Sequence, residues 1–381
     1  MSEKIYFTPA GKPILASVML DATHILLMCK GGFGVRKSVY LLVMSFGLTL
    51  AALTASGQGH SSESAAQGRA AMPALDPELN NYKYPYPVSF YEFDTQGQRL
   101  RMAYMDVAAT KPNGRTVVLL HGKNFSGAYW ASTIKALLAE GYRVVAPDQV
   151  GFGKSSKPVA YQFSFHALAA NTREMLDSLR VEKFALVGHS MGGMLAARMV
   201  LMYPDRVERL ALVNPIGLED WKLVAPYRTV EENFAQELRA TPESIKEYQR
   251  MNYFGGEWRP EFDALTEILS GWTRHPEYRR VAWNAALTSD MIFTQPVIYE
   301  FERLKTPTLL IIGQRDRTAI GKDRVPKEVA ATMGNYPSLG KAATRRIPGA
   351  RLFEIAEAGH LPQVDSFPKY ARALLDFIAG G

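Results

Sequence analysis

The chain has 381 residues, 47% hydrophobic and 21% charged, with 30 Gly, 22 Pro and one Cys. That balance excludes collagen-like, disordered and disulfide-rich classes, and fits either one large α/β domain with an insertion or two or three domains. The formal net charge of +7 is not gathered into a basic block with interleaved aromatics, so no nucleic-acid groove is expected.

In chain order the first feature is the apolar run SVYLLVMSFGLTLAAL (Ser38–Leu53), with Arg36 and Lys37 before it and Ala55, Ser56 and Gly57 after it. It is shorter than the roughly 20 residues a membrane-spanning helix needs, and its basic, apolar and small-residue regions come in secretory order. Residues 1–57 therefore read as a leader, and the mature protein is expected to be periplasmic or secreted. The alternative is an uncleaved segment that anchors it to the membrane. Because a secretory signal begins at the N-terminus, translation is expected to start at Met28 or Val35. Cys29 lies upstream of the cleavage region, which leaves the mature chain without a thiol and fits an oxidising compartment.

Residues 58–82 are rich in Ser, Ala, Gly and Pro and read as a linker. PVSFYEF and RLRMAYMDV then flank DTQGQ, the pattern of two strands joined by a short turn. Short apolar runs next alternate with amphipathic helices: TVVLLH, YRVVAPD, KFALVGHS and RVERLALVN are the strands. Such alternation predicts an α/β fold with a mostly parallel sheet covered on both faces. It stops near Pro215. Residues 217–304 read as a helical insertion rich in aromatics, after which TPTLLIIG and ARLFEIA restore strands and FPKYARALLDFIAG closes with a helix. The core is thus expected over 83–216 and 305–381. The long stretch after Asp316 reads either as a second rim of the site entrance or as an elaborated surface helix.

Chemistry centres on Gly188-His189-Ser190-Met191-Gly192, a GxSxG pattern between a strand and a helix. A sharp turn there lifts a serine hydroxyl above the sheet edge, and the glycines remove side chains where strand and helix converge. A serine needs a base and a group that orients the base. His360 follows the strand RLFEIA and Asp316 follows TLLIIG, each just beyond the carboxyl end of its strand, the edge at which parallel sheets form sites. Glu219 and Asp220, after the preceding strand, are alternatives to Asp316. Asp148 is expected to tie its loop to the sheet edge, and His189 to pack or hydrogen-bond sideways.

With LLHG (Leu119–Gly122), PDQVGFGKSSKP (Pro147–Pro158), GHSMGG, GQRD and AGHLPQ in this order, residues 83–381 resemble the α/β-hydrolase superfamily. The resemblance implies an α/β-hydrolase fold, a Ser190–Asp316–His360 triad and an oxyanion hole from the backbone N–H of Met191 and of Lys123 or Asn124. It also implies that 217–304 is a cap over the nucleophile. A serine nucleophile argues against the haloalkane dehalogenases and epoxide hydrolases of the superfamily, which use aspartate. Lys123 contributes either its amide alone or also an ammonium that attracts an acidic substrate group. An apolar pocket is expected, with Phe125, His121, Gln149 and Trp221 in its lining.

The expected function is an exported, carboxylesterase-like serine hydrolase working through an acyl-enzyme. The alternatives are a C–C bond hydrolase or cofactor-free perhydrolase with the same triad, or a ligand-binding or sensing protein on this fold. No GxGxxG follows a first strand and no HExxH or Cys cluster is present, so no metal, nucleotide or flavin cofactor is expected. The expected partner is a small-molecule ester or acyl substrate, with a membrane involved only if the leader stays uncleaved.

Overall fold

The computed structural model describes residues 73–380, together with a short antiparallel pair, β1 (Tyr6–Phe7) and β2 (Pro13–Ile14). The apolar run Ser38–Leu53, Cys29 and the proposed start sites lie outside the described residues. Among the described residues no helix is long and apolar enough to cross a membrane.

Eight strands form one sheet: β3 (Val88–Thr95), β4 (Gln98–Val107), β5 (Thr116–Leu120), β6 (Arg143–Pro147), β7 (Phe184–His189), β8 (Val207–Val213), β9 (Thr308–Gly313) and β10 (Arg351–Ile355). Their spatial order is β10-β9-β8-β7-β5-β6-β4-β3, parallel from β10 to β6 and antiparallel for β4 and β3. The continuous apolar runs occupy the centre because both faces are covered. Val118, Leu120, Leu186 and Leu212 point into one core layer, and Val117, Leu119, Val187 and Val213 into the other. Helices Phe165–Ser178, Met191–Met202 and Tyr336–Arg346 fill the first layer; Ala131–Ala139 and Phe367–Ala379 fill the second. Chain order differs from strand order between β5, β6 and β7, so β7 and its following turn stand at the middle of the sheet.

Between β8 and β9 run four helices, Val230–Glu237, Pro242–Tyr253, Glu267–Thr273 and Tyr278–Thr294. The first two start at capping boxes, Thr229 with Glu232 and Thr241 with Ser244, each satisfying helix-end donors reciprocally. The first packs on the last through Phe234 and Trp283, 5.3 Å apart.

One segment differs from expectation. Residues 73–82 pack onto the folded unit and are not a free linker: Leu79 is fully buried, Leu75 N–H donates to the Gly271 carbonyl at 3.0 Å, and Glu78 pairs with Arg280. Two leucines spaced for one apolar contact outweighed the polar composition around them.

Candidate active site

Ser190 sits between the last residue of β7 and the first of helix Met191–Met202, with φ +56° and ψ −122°. A non-glycine residue held there costs about 1–3 kcal/mol and persists only where surrounding structure enforces it. Enforcement is visible on both sides of the turn. Ser190 N–H donates to the Val213 carbonyl (3.2 Å), and the Ser190 carbonyl accepts from Gly193 N–H (2.9 Å) and Ile216 N–H (3.2 Å). A side chain at Gly188 would run into the Gly192 carbonyl, and one at Gly192 into the Leu120 carbonyl, so strand, helix and neighbouring strand converge only with both glycines.

His360 and Asp316 meet. The His360 Nδ1–H donates to Asp316 Oδ2 at 2.6 Å, with both side chains fully buried. The carboxylate is held on every side by donors: Asn214 Nδ2 reaches Oδ2 at 2.8 Å, and Thr318 N–H reaches Oδ1 at 2.7 Å. Asn214, at the end of β8, in turn accepts from Gly313 N–H at 2.8 Å, so a single side chain bridges the ends of β8 and β9. The sequence reading did not single it out; the available signal was an amide at the end of the strand beside the one that carries Asp316. Glu219 is occupied with Trp221 Nε1 (3.0 Å) and Gly334 N–H (2.8 Å), and Asp220 with Tyr299 Oη (2.8 Å). His360 Nε2 is buried and makes no hydrogen bond, so Ser190 and His360 are not bonded to each other in this state. Such bonds often tighten only around substrate.

Around these residues the loops are pinned. His189 Nε2–H donates to the His360 carbonyl at 2.9 Å, and Tyr129 Oη–H donates to His189 Nδ1 at 2.9 Å. Burial first, and the neighbouring His360 second, hold the His189 pKa well below its ordinary value, so this imidazole is a neutral strut, in line with its expected sideways position. Met191 opens its helix, and its N–H is one of those a helix leaves without an intrahelical partner. Lys123 and Asn124 form a turn closed by Phe125 N–H on the Gly122 carbonyl at 3.2 Å, with Asn124 at φ +72°. Asp148 ties its loop as expected: Oδ1 accepts from Gly127 N–H (2.6 Å), and Oδ2 from Tyr84 Oη (2.7 Å) and Lys154 N–H (2.7 Å).

A cavity of about 690 Å³ opens over Ser190, between Lys123 and Asn124, the helices Val230–Glu237 and Pro242–Tyr253, and the segment 318–324. That segment settles the stretch after Asp316: its first part is a rim of the cavity, while Tyr336–Arg346 packs on the core. The expected lining is corrected here. His121 is buried, with Nδ1 on the Gly122 carbonyl (2.9 Å) and Nε2 accepting from Gln149 N–H (3.0 Å). The Gln149 side chain bonds Thr172 at 3.1 Å. Phe125 stacks on Tyr129 at 4.8 Å, and Trp221 is buried in the core. None of the four lines the cavity. Most insertion aromatics also bury against one another, as in the Phe254–Phe262 stack at 3.8 Å, so the cavity wall is mixed, with Ile216, Ile245, Ile292 and Ile320 beside polar and charged residues. The aromatic residues that do reach it are Tyr248, Tyr253 and Tyr278, beside Arg228, Glu237, Asp323 and Arg324. Lys123 pairs with Glu237 at 3.1 Å, so its ammonium is matched within the protein. Among the described residues no group of three or more His, Cys, Asp or Glu could hold a metal ion.

The loop carrying His360 has its own titrating support. Asp365 Oδ2 accepts from Gly359 N–H at 2.7 Å, its Oδ1 is buried without a partner, and burial pushes its pKa up to about 6. Between about pH 4 and pH 6 the folded chain holds a proton that the unfolded chain has lost, so stability falls as pH rises through that window and the deficit is full above it. Asp365→Asn keeps an oxygen for Gly359 and carries no charge. Thermal melts of this variant should show a higher Tm than wild type at pH 8 and little change at pH 4; equal shifts at both would contradict the assignment.

Comparison with known proteins agrees with this geometry. A family model described as the alpha/beta hydrolase fold matches residues 115–367. The crystal structure of a probable hydrolytic enzyme from Pseudomonas aeruginosa is 53% identical, covers 80% of this chain and 98% of that one, and superposes with a TM-score of 0.79. A 2-hydroxy-6-oxo-2,4-heptadienoate hydrolase from Pseudomonas putida is 26% identical over 70% of this chain and 90% of its own length. A 2-hydroxy-6-oxo-6-phenylhexa-2,4-dienoate hydrolase from Burkholderia cepacia is 29% identical over 70% and 89%. Sheet order, the strained serine turn and these matches together make the chain a hydrolase that belongs to the α/β-hydrolase fold family.

Proposed function

We propose that the chain is a serine hydrolase that cleaves a carboxylic ester or related acyl compound through an acyl-enzyme. The observation that carries this reading is the buried His360–Asp316 pair, whose outer nitrogen is left without a partner while Ser190 is held in a strained turn on the cavity wall. His360 Nε2 takes the Ser190 proton as the hydroxyl attacks the carbonyl carbon; Asp316 holds the ring and stabilises the imidazolium. The Met191 N–H and that of Lys123 or Asn124 receive the oxyanion, each such donor being worth about 3–4 kcal/mol. His360 then returns the proton to the leaving alcohol, and water, activated by the same nitrogen, releases the acid and restores Ser190. The export reading of Ser38–Leu53 accompanies this proposal on sequence grounds alone.

A second reading, hydrolysis of a C–C bond in a vinylogous diketone, is favoured by the relatives named as dienoate hydrolases. One experiment separates the two. A fluorophosphonate probe is expected to label the wild-type protein and not Ser190→Ala, and p-nitrophenyl esters are expected to turn over faster than a 2-hydroxy-6-oxo-dienoate. Turnover of the dienoate alone would replace the ester reading, and absence of labelling would remove both.

A further inference from the structure

The cavity over Ser190 carries an excess of positive charge. Lys123, Arg228, Arg239, Lys322 and Arg324 line it against Glu237 and Asp323. Both acids are already engaged, Glu237 by Lys123 and Asp323 by Arg228, and Arg324 reaches Asp323 only at 3.9 Å. Arg324 is also the cation most firmly placed. Its Nη1 donates to the Pro226 carbonyl at 2.7 Å, its guanidinium carbon lies 4.9 Å over the Phe293 ring, and its side chain is 12% exposed. Its Nε is buried with no hydrogen bond. Nη2 faces Gly321, another cavity residue, where a Cβ would stand 2.9 Å away. Burial and the neighbouring charge of Arg228 both push the Arg324 pKa down, against the opposing pull of Asp323 and Glu232. A desolvated cation beside a second one is costly until a counter-charge arrives, and a planar guanidinium fork matches a carboxylate with two parallel bonds.

We propose that this wall is a carboxylate subsite: the substrates are ester or acyl compounds bearing a second, ionised carboxylate away from the bond that is cleaved, held by Arg324 with Arg228 and Lys322. The inference rests on the Ser190 hydrolase reading for the bond broken, but the subsite itself does not require turnover. A cavity of about 690 Å³ has room for an acyl chain between the nucleophile and this wall. The free acid released would be a dicarboxylate, so this enzyme would act after a reaction that esterifies one end of a diacid or opens a ring to give such a half-ester.

The test compares the mono-p-nitrophenyl ester of glutaric acid with its neutral methyl-capped counterpart. Wild-type kcat/KM should favour the anionic ester by about 10- to 100-fold at low ionic strength, and the preference should shrink as salt rises from about 20 mM to about 500 mM. Arg324→Gln should bring the ratio of the two substrates near one, with Arg324→Lys between. Arg372→Gln, at an 85% exposed arginine outside the cavity, should keep the wild-type ratio. Hydrolysis of both esters at equal efficiency in wild type would overturn the subsite and leave the hydrolase reading standing. Should neither ester be cleaved, glutarate alone still decides: a rise in wild-type Tm that disappears in Arg324→Gln supports the subsite, and no rise overturns it.

Discussion

Replacing Asp316 with asparagine should lower kcat by about ten-thousand-fold while the protein stays folded. The carboxylate is fully buried and surrounded by donors alone: His360 Nδ1–H, Asn214 Nδ2–H and Thr318 N–H. An asparagine has the same shape but must turn its own NH₂ toward one of them. Facing Thr318, its NH₂ opposes the one N–H group there and leaves that buried donor unpaired, at about 1–3 kcal/mol. Facing His360, its NH₂ opposes both Asn214 Nδ2–H and the ring, and the ring accommodates it only by moving its proton to Nε2, the atom that has to accept the serine proton. The first arrangement removes the charge that stabilises the imidazolium, the second also removes the basic lone pair, and neither removes a packing atom. Rates of ester turnover and of fluorophosphonate labelling should fall together, and far-ultraviolet circular dichroism should be unchanged. A variant within ten-fold of wild type would show that Asp316 does not orient His360.

How far the sequence carried this site depends on which contacts are local. The serine turn was legible because a strand, GxSxG and a helix are contiguous, and the geometry of Ser190 follows from residues on either side of it. The Asp316–His360 contact was legible at one remove, since parallel strands put their following loops on one edge, and β9 and β10 are in fact adjacent. Asn214 was not, because its importance comes from lying next to β9 across the sheet, a pairing that LALVN does not announce. The pocket was the least legible part. Phe125, His121, Gln149 and Trp221 stand beside the motifs in sequence, yet their side chains fill the layers beneath the loops. The walls instead come from residues such as Arg228 and Arg324, 96 positions apart in number and joined through Asp323. Aromatic composition suggested an aromatic-lined cleft; most of the aromatics pack on one another, and isoleucines share the opening with charged residues.

The second large effect is expected from Gly359→Ala, where one methyl group acts on two elements at once. His360 N–H donates to the Tyr253 carbonyl at 2.8 Å, and the Tyr253 ring lies 4.6 Å from the His360 ring at 27°, so the end of helix Pro242–Tyr253 rests directly on the loop that carries the base. A Cβ at position 359 would fall well inside contact distance of the Tyr253 carbonyl oxygen and close to Phe254 Cα. Both neighbours are backbone, which cannot rotate away, so the loop or the helix must move. Overpacking of this kind costs about 1–3 kcal/mol, or more where nothing yields, and a shift of about 1 Å in a catalytic group can cost about 100-fold in rate. The variant should therefore show a lower Tm and a kcat reduced at least about 100-fold. Tyr253→Ala in the same chain removes the stack but keeps the carbonyl, so it should recover little activity. Recovery to near wild-type turnover would mean that the ring, and not the backbone contact, sets the position of His360.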